Sequence, residues 1–285
     1  MNPYRQLVSD YARCFRDGKK FAMGGFGSVA GTAPTPGAPK ALIFSPHPDD
    51  ECIIGALPLR LRRQSGWDIV NVAVTQGSNT ARQDERWQEL QNACQYIGFR
   101  VIQTAPKGLE KVAAKTRNTD PSRWQSMVAV IANILQQEAP RAIFFPHEHD
   151  WNSSHIGVHF LVIDALKQLG NGFATDLVET EYWGQMTAPN LMVESNETDV
   201  TDMVTGISFH IGEVRRNPFH LLLPAWMQDN VRRGSELVGG QGKSAPDYTF
   251  ATLYRHRRWN GQQIVEIHDN GRMLGATESP DALFV

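Results

Sequence analysis

From residue 40 onward, short apolar runs alternate with helix-like stretches, and this alternation restricts the fold more than any other feature. The strand-like runs cover residues 41–44, 69–74, 100–104 and 142–145, and the helix-like stretches cover 52–63, 82–97, 124–137 and 155–169. Continuous apolar strands separated by helices form a parallel sheet, because right-handed crossovers place the helices on both of its faces. The sequence therefore predicts a Rossmann-like, three-layer α/β/α fold with a mostly parallel sheet.

The residues before this alternation predict a helix and a linker. Apolar side chains recur at helical spacing over residues 3–20, and residues 24–39 are rich in Gly, Pro, Ala and Thr. The linker contains the run GGFGSVAG, but this run precedes the first strand, so we do not expect a dinucleotide-binding loop. We predict that residues 1–39 lie outside the main domain, where the linker either covers a pocket or tethers the helix.

After residue 170 the alternation becomes irregular. The pattern predicts strands over 177–183 and 191–194 and helices over about 200–214 and 221–234. Asn260-Gly261 lies between two further strand-like runs and is typical of a hairpin turn. We expect residues 40–285 to form one domain, with a C-terminal α+β elaboration that begins at about residue 176.

Charge and cysteine content exclude several classes of protein. Lys and Arg number 28 against 30 Asp and Glu, so the net charge of −2 provides no positive field for a nucleic acid. The 3 cysteines contain no CxxC pair, which excludes a thiolate zinc site and fits a reducing compartment. The N-terminus lacks a secretory apolar region, and no apolar stretch approaches the length of a membrane span. We expect a cytoplasmic protein, and the sequence leaves homo-oligomer formation open.

Polar side chains follow two of the predicted strands at the point where each strand ends. Phe44 is followed by SPHPDDE at 45–51, and Phe145 is followed by PHEHDWNSSH at 146–155. Ligands of open parallel sheets bind at the carboxyl ends of the strands. These two runs are therefore the first places to look for a site.

The two runs contain a set of side chains that suits a zinc ion. His47 and Asp50 are three residues apart, and His155 comes from the second strand end. Three protein ligands leave a position for water, whose pKa the metal lowers toward ~7. Asp49 is the nearest carboxylate that could take the proton as general base. The alternative role for these carboxylates is to cap the following helix, but the two histidine-rich strand ends together favour a metal site.

The run PHPDDE at 46–51 resembles the signature of the PIG-L (LmbE-like) zinc-dependent de-N-acetylase family. TQG at 75–77, RWQEL at 86–90 and the spacing from His155 to DAL at 164–166 also resemble the family. The resemblance extends from about residue 40 to 250. It implies a Rossmann-like fold and removal of an acetyl group from an N-acetylglucosamine-type amino sugar or glycoconjugate.

The resemblance also implies roles for individual residues. His47, Asp50 and His155 would hold one zinc ion per chain, and Asp49 would be the general base for a zinc-bound water that attacks the amide. Arg86 would bind the substrate, although an exposed helix residue that pairs with neighbouring acids is an equal alternative. His210 is the nearest match to a catalytic C-terminal histidine of the family.

One departure from the family pattern concerns the second strand end. The family usually has His-x-x-His, whereas this chain has Asn152 three residues before His155. An asparagine side chain can donate a hydrogen bond but cannot carry a proton. His149 and Asp150 lie just upstream and could replace the missing pair, so His149 and Asn152 are both catalytic candidates.

Three alternatives follow from these patterns. The substrate could carry a longer acyl chain, in which case the pocket would need an apolar tunnel. The chain could also be a degenerate member that binds metal or sugar without turnover. Two histidines and a carboxylate accept iron, cobalt or nickel as well as zinc.

Overall fold

A computed structural model of the chain describes residues 2–284, and its centre is one nine-stranded sheet. The strands are β1 (Lys40–Ser45), β2 (Asp68–Ala73), β3 (Arg100–Gln103), β4 (Ala142–Pro146), β5 (Thr175–Thr180), β6 (Leu191–Ser195), β7 (Phe250–Trp259), β8 (Ile264–Glu266) and β9 (Arg272–Leu274). The sheet order is β3-β2-β1-β4-β5-β7-β6-β9, and β8 pairs with β7.

The first five strands are all parallel, and the chain changes direction across the sheet between β1 and β4. In that pair Leu42 lies opposite Ile143, and β2, β3 and β5 continue the parallel pairing outward. β7 is antiparallel to β5 and β6, whereas β9 is parallel to β6. The predicted Rossmann-like fold with a mostly parallel sheet is therefore confirmed, and the strands of the C-terminal half extend the same sheet.

Ten α-helices surround the sheet in the described residues. They are α1 (Pro3–Gly18), α2 (Asp50–Ile53), α3 (Ala56–Ser65), α4 (Gln83–Ile97), α5 (Ala114–Thr119), α6 (Pro121–Glu138), α7 (Ser153–Leu169), α8 (Glu197–Ser208), α9 (Ile211–Arg216) and α10 (Leu223–Leu237). Within residues 2–284, no helix has the length and apolar character needed to cross a bilayer.

Two apolar cores lie on the two faces of the sheet. Ala41 and Ile43 of β1 pack into the core beneath α2, α3, α4, α8 and α10, whereas Leu42 and Phe44 pack beneath α6 and α7. This alternation arises because successive side chains of a strand point to opposite faces. Both faces are buried, which explains why the strands are continuously apolar.

The helices differ from the predicted pattern at two places. The stretch predicted as one helix over 52–63 is α2 followed by α3, because Gly55 adopts φ +90° and the Thr252 side chain fills the space beside it. The stretch predicted over 200–214 is also two helices, α8 and α9, which His210 separates. Helix α5 and strand β9 were not predicted. The hairpin at Asn260-Gly261 is confirmed by the antiparallel pairing of β7 with β8.

The linker lies along the outside of the fold. The N–H of Val29 donates to the carbonyl of Tyr96 at 2.9 Å, and Arg62 of α3 donates to the carbonyl of Thr32 at 2.7 Å. Both contacts are with the α3–α4 side of the molecule. The linker is therefore bound to this side of the molecule.

The glycine at 157 allows a loop to lie directly on α7. A Cβ atom at Gly157 would be 2.6 Å from the backbone nitrogen of Ala113, closer than side chains tolerate. We expect Gly157→Ala to lower the free energy of unfolding by about 1–3 kcal/mol, because the overpacking outweighs the gain of up to ~1 kcal/mol in helix propensity.

The control for this variant is Gly172→Ala. Gly172 follows α7 and has no atom within 4 Å of the position of its Cβ, so its free energy of unfolding should change by less than about 0.5 kcal/mol. Urea denaturation followed by circular dichroism measures both variants. Equal stabilities for the two variants would contradict the close packing of the loop on α7.

Candidate metal centre

The sheet brings together the three side chains predicted as metal ligands. His47 and Asp50 lie in the turn between β1 and α2, and His155 lies in the first turn of α7, just after β4. Because β1 and β4 are neighbours, their carboxyl ends place the three side chains in one cluster. Asp50 and His155 are 1% and 0% exposed, so the cluster lies below the surface.

The distances within the cluster fit a single divalent cation. His47 Nδ1 is 3.2 Å from His155 Nε2 and 3.6 Å from Asp50 Oδ2, and His155 Nε2 is 3.4 Å from Asp50 Oδ2. Bonds of ~2.0–2.1 Å in a tetrahedral site would separate the ligand atoms by about 3.4 Å. Asp50 Oδ1 is also buried without a hydrogen-bond partner among residues 2–284. The donor set and its spacing therefore fit a metal ion of the zinc type.

Asp150 lies behind His155, within ion-pair distance of its ring. Its Oδ1 atom is 3.6 Å from His155 Nδ1, on the side of the ring away from the cluster. Its Oδ2 atom accepts the N–H groups of Trp183 and Gly184 at 3.1 and 3.2 Å. A carboxylate behind a ligand histidine fixes the tautomer and leaves the other ring nitrogen free for a metal. Asp150 therefore lies behind His155, on the side of the ring away from the cluster.

The charges of the cluster support one another. Burial opposes the ionisation of Asp50, but His155 and His47 outweigh it and lower the pKa of this carboxyl. Burial likewise opposes the protonation of His155, but Asp50 and Asp150 raise its pKa. Burial also opposes the ionisation of Asp150, yet His155 and the N–H groups of Asn152 and Gly184 lower its pKa to about 2. The two carboxylates thus stabilise positive charge at His155, where a bound cation would also be stabilised.

Asp49 lies next to the cluster in a strained backbone conformation. Its φ of 114° is in the left-handed region, which costs of order 1–3 kcal/mol for a residue with a side chain. Its backbone N–H donates to Glu51 Oε2 at 3.0 Å, which holds the turn in place. Burial and the Asp50 carboxylate raise the pKa of Asp49 well above its usual range. A raised pKa is the property that suits a carboxylate to proton transfer.

Arg86 of α4 contacts the turn that contains Asp49. Its guanidinium donates to the carbonyl of Pro48 at 3.0 Å and lies 4.0 Å from Asp49 Oδ2. Gly77, at φ +79°, leaves the space that the guanidinium occupies. The structure therefore places Arg86 beside the predicted base, and its side chain is not part of the cavity wall described next.

A polar cavity of about 580 Å³ opens beside His47. Its wall consists of residues that follow β2, β3 and β4, namely Thr75, Gly77, Ser78, Thr80, Gln83, Leu109, Glu110, Lys111, Val112, Ala113, Asn152, Ser153 and Ser154. Asn152 Oδ1 accepts the N–H of Ser154 at 2.8 Å and so caps α7. The volume is within the range of small-molecule sites, and the hydroxyl, amide and charged groups suit a hydroxyl-rich ligand.

Two predicted catalytic histidines are not placed at the cluster. The side chain of His149 is 73% exposed and lies 3.8 Å from Glu148, because the turn that contains it is fixed through His147 and Gly184. His210 is fully buried, and its Nε2 atom is 2.7 Å from Glu51 Oε1.

Glu51 is a residue of the site whose role was not predicted. It joins His210 to the backbone of Asp49 and is itself 2% exposed. The only signal in the sequence was its position in the PHPDDE run, where a carboxylate at the start of a helix reads as a capping residue. The structure shows instead that Glu51 connects the C-terminal half of the chain to the turn of the site.

The fold is shared with known deacetylases, although the identities are low. N,N'-diacetylchitobiose deacetylase from Pyrococcus horikoshii is 15% identical, with a TM-score of 0.55 over 87% of this chain and 92% of that one. The A40926 pseudoaglycone deacetylase Dbv21 is 14% identical, with a TM-score of 0.54 over 78% and 98%. GalB, the 4-carboxy-2-hydroxymuconate hydratase of Pseudomonas putida KT2440, is 14% identical, with a TM-score of 0.52 over 76% and 95%. At these identities the likeness concerns the fold.

The cluster is a candidate metal centre at the carboxyl ends of two neighbouring strands in a Rossmann-like fold. Residues 42–166 match the family PIG-L: GlcNAc-PI de-N-acetylase, so this chain carries a PIG-L domain over that range. The matched range contains all three residues of the cluster. A search of curated proteins gave no match. The resemblance predicted from the PHPDDE run is therefore confirmed.

The cluster predicts one divalent metal ion per chain. We expect Asp50→Asn to weaken zinc binding by about 100-fold or more, because loss of a charged ligand should exceed the 10–100-fold effect typical of groups behind the ligands. Isothermal titration calorimetry and elemental analysis measure affinity and stoichiometry. His149→Ala is the control and should bind zinc like the unmodified chain, since His149 lies outside the cluster. Equal loss in both variants would contradict the assigned ligand set.

Proposed function

We propose that this protein is a metal-dependent hydrolase that removes the N-acetyl group from an N-acetylglucosamine-type amino sugar or glycoconjugate. The observation that carries the proposal is the His47–Asp50–His155 cluster, which adjoins Asp49 in sequence and a polar cavity through His47, and which lies within the residues that match the PIG-L family. The likeness to GalB shows that the fold alone does not determine the reaction. The proposal therefore depends on the chemistry of the site.

His47, Asp50 and His155 would hold the metal ion, for which zinc is the first candidate. When bound, such an ion supplies Lewis acidity that polarises an amide carbonyl and makes a water molecule more acidic. The protein supplies the remaining functions through side chains on rigid strand ends, which position the reacting groups before the reaction begins.

Asp49 is the proposed general base and acid. Its carboxylate would accept a proton from the attacking water and return a proton to the departing nitrogen, so the amide and water become a free amine and acetic acid. The buried position and the raised pKa of Asp49 favour a carboxyl that both accepts and donates a proton. Arg86 and Glu51 hold its turn through Pro48 and the backbone N–H of Asp49.

Asn152 is the proposed hydrogen-bond donor to the acyl oxygen. It lies in the wall of the cavity that also contains His47, at the position where the resemblance leads one to expect a histidine. Its Oδ1 atom is used by the helix cap, which leaves the amide N–H groups for the substrate. Thr80, Gln83 and Lys111 of the same cavity would bind sugar hydroxyls.

We also propose that the protein works in the cytoplasm. Cys52 and Cys94 are buried free thiols, and Cys14 is an exposed one. Free thiols persist in a reducing compartment. Fractionation of cells that produce the tagged protein tests this location.

Replacement of the proposed base tests the function directly. We expect zinc-loaded protein to release amine from N-acetylglucosamine, its short oligomers or an inositol-linked analogue. Asp49→Asn should lower kcat by about 10²–10⁴-fold, because the amide cannot accept the proton of the attacking water. Zinc content should remain unchanged, since Asp49 is outside the ligand set. Full activity of Asp49→Asn would rule out its role as base, and zinc binding without amine release from any substrate would favour a non-catalytic binding protein.

Replacement of Asn152 separates its structural role from its proposed catalytic role. Asn152→Asp keeps an N-cap of α7, so the free energy of unfolding should change by less than about 0.5 kcal/mol. The change removes the amide donor, and kcat should fall by about 10²–10³-fold. Amine-release kinetics and urea denaturation measure the two effects. If kcat stays within a factor of two, the acyl oxygen has another donor.

A further inference from the structure

A second, apolar cleft lies beside the metal centre and has no role in the function proposed above. Its volume is about 250 Å³, and nine of its ten lining residues are apolar or aromatic, among them Trp151, Tyr182, Trp183, Phe219, Leu223 and Trp226. Its lining shares no residue with the polar cavity. The protein thus offers two chemically different spaces at one edge of the sheet.

Several wall residues of the cleft contact residues of the metal centre. The ring of Tyr182 stands edge-on to the ring of His155, with 4.9 Å between the centroids. Ile53, another wall residue, lies on α2 with the ligand Asp50. The N–H of Trp183 donates to the Asp150 carboxylate that faces His155. The cleft therefore adjoins the cluster directly.

The tryptophans of the cleft differ from those of the core. Trp67 and Trp124 are 0% and 1% exposed, whereas Trp151 and Trp183 are 80% and 42% exposed. Leu222 of the cleft is also 50% exposed. Exposed apolar side chains that line one concave surface mark a binding site for an apolar group, because their contact with water is unfavourable.

The strand order places the cleft and the polar cavity on two sides of the cluster. The polar cavity uses residues that follow β2 and β3, and the cleft uses Tyr182 and Trp183, which follow β5. The cluster uses residues that follow β1 and β4, which lie between those strands in the sheet. In the strand order, the cluster therefore lies between the two spaces.

The geometry of an amide indicates which part of the substrate would lie in the polar cavity and which in the cleft. In a trans secondary amide the two substituents lie at opposite ends of the planar group. If the sugar occupies the polar cavity, the acyl chain must extend from the cluster toward the cleft. We propose that the cleft binds the alkyl chain of the acyl group, so that the substrates include amino sugars that carry a medium-length fatty acyl chain. This inference rests on the proposed function and names the acyl group of its substrate.

Chain-length dependence tests the proposal. Zinc-loaded protein would be assayed with N-acetyl-, N-butyryl-, N-hexanoyl- and N-octanoylglucosamine. A parallel series of N-alkylsulfonyl glucosamines, which resist hydrolysis, gives dissociation constants by calorimetry. Each buried methylene strengthens binding by up to about fourfold, so the six-carbon acyl group should exceed the acetyl group at least about tenfold in kcat/KM, and the sulfonamides should show the same trend in affinity.

Two exposed leucines provide a matched pair of variants. Leu222 lies in the cleft and is 50% exposed, whereas Leu237 lies on α10 outside the cleft and is 44% exposed. We expect Leu222→Ser to reduce the preference for long chains about threefold or more and to leave N-acetylglucosamine hydrolysis unchanged. Leu237→Ser should leave both unchanged. Trp226→Ala should reduce the preference further, by about tenfold or more.

The outcomes separate this proposal from the proposed function. Hydrolysis that does not depend on chain length, or that Leu222→Ser and Leu237→Ser affect equally, would overturn the acyl-chain assignment while the deacetylase function stands. Absence of hydrolysis with chain-length-dependent sulfonamide binding would support the cleft and overturn the function. An octyl β-glycoside of N-acetylglucosamine is the last probe: if Leu222→Ser weakens only this substrate, the cleft binds the aglycone and the acyl assignment is wrong.

Discussion

The site depends on the direct pairing of β1 with β4. These strands come from distant parts of the chain, and their parallel register places Ala41 opposite Ala142 and Ile43 opposite Phe144. A slip by one residue would move one strand end by about 3.3 Å relative to the other and would turn the buried side chains toward the wrong core. A shift of that size would separate His47 from His155, whose ring nitrogens are 3.2 Å apart. The two apolar cores therefore fix the geometry of the metal centre as well as the stability of the sheet.

Two buried carboxylates, Asp150 and Glu51, contact the functional residues His155 and Asp49. Asp150 holds His155 through a contact to its ring and is itself fixed by the backbone after β5. Glu51 holds the backbone of Asp49 and is itself fixed by His210, between α8 and α9. Each functional residue is thus braced by a segment that is distant in sequence.

The sequence predicts those parts of the structure that depend on local patterns. The alternation of strands and helices predicted the sheet, and the ligand set followed from short spacing at two strand ends. The breaks at Gly55 and His210 were not predicted, because apolar periodicity continues through both and only packing against Thr252 and Glu51 reveals them. His149 was expected at the site because it is close to His155 in sequence, yet its side chain is exposed to solvent. The pairing of His210 with Glu51 joins residues 159 positions apart, and no local pattern records such a contact.

The left-handed backbone of Asp49 also bears on how this chain can evolve. A glycine at this position would relieve strain of order 1–3 kcal/mol but would remove the carboxylate. Selection for stability and selection for the proposed proton transfer would therefore favour different residues at one position. Descendants of this chain that no longer need the proposed reaction should lose Asp49 before they lose the cluster, because Asp49 has a strained backbone, whereas His47, Asp50 and His155 do not have positive φ angles.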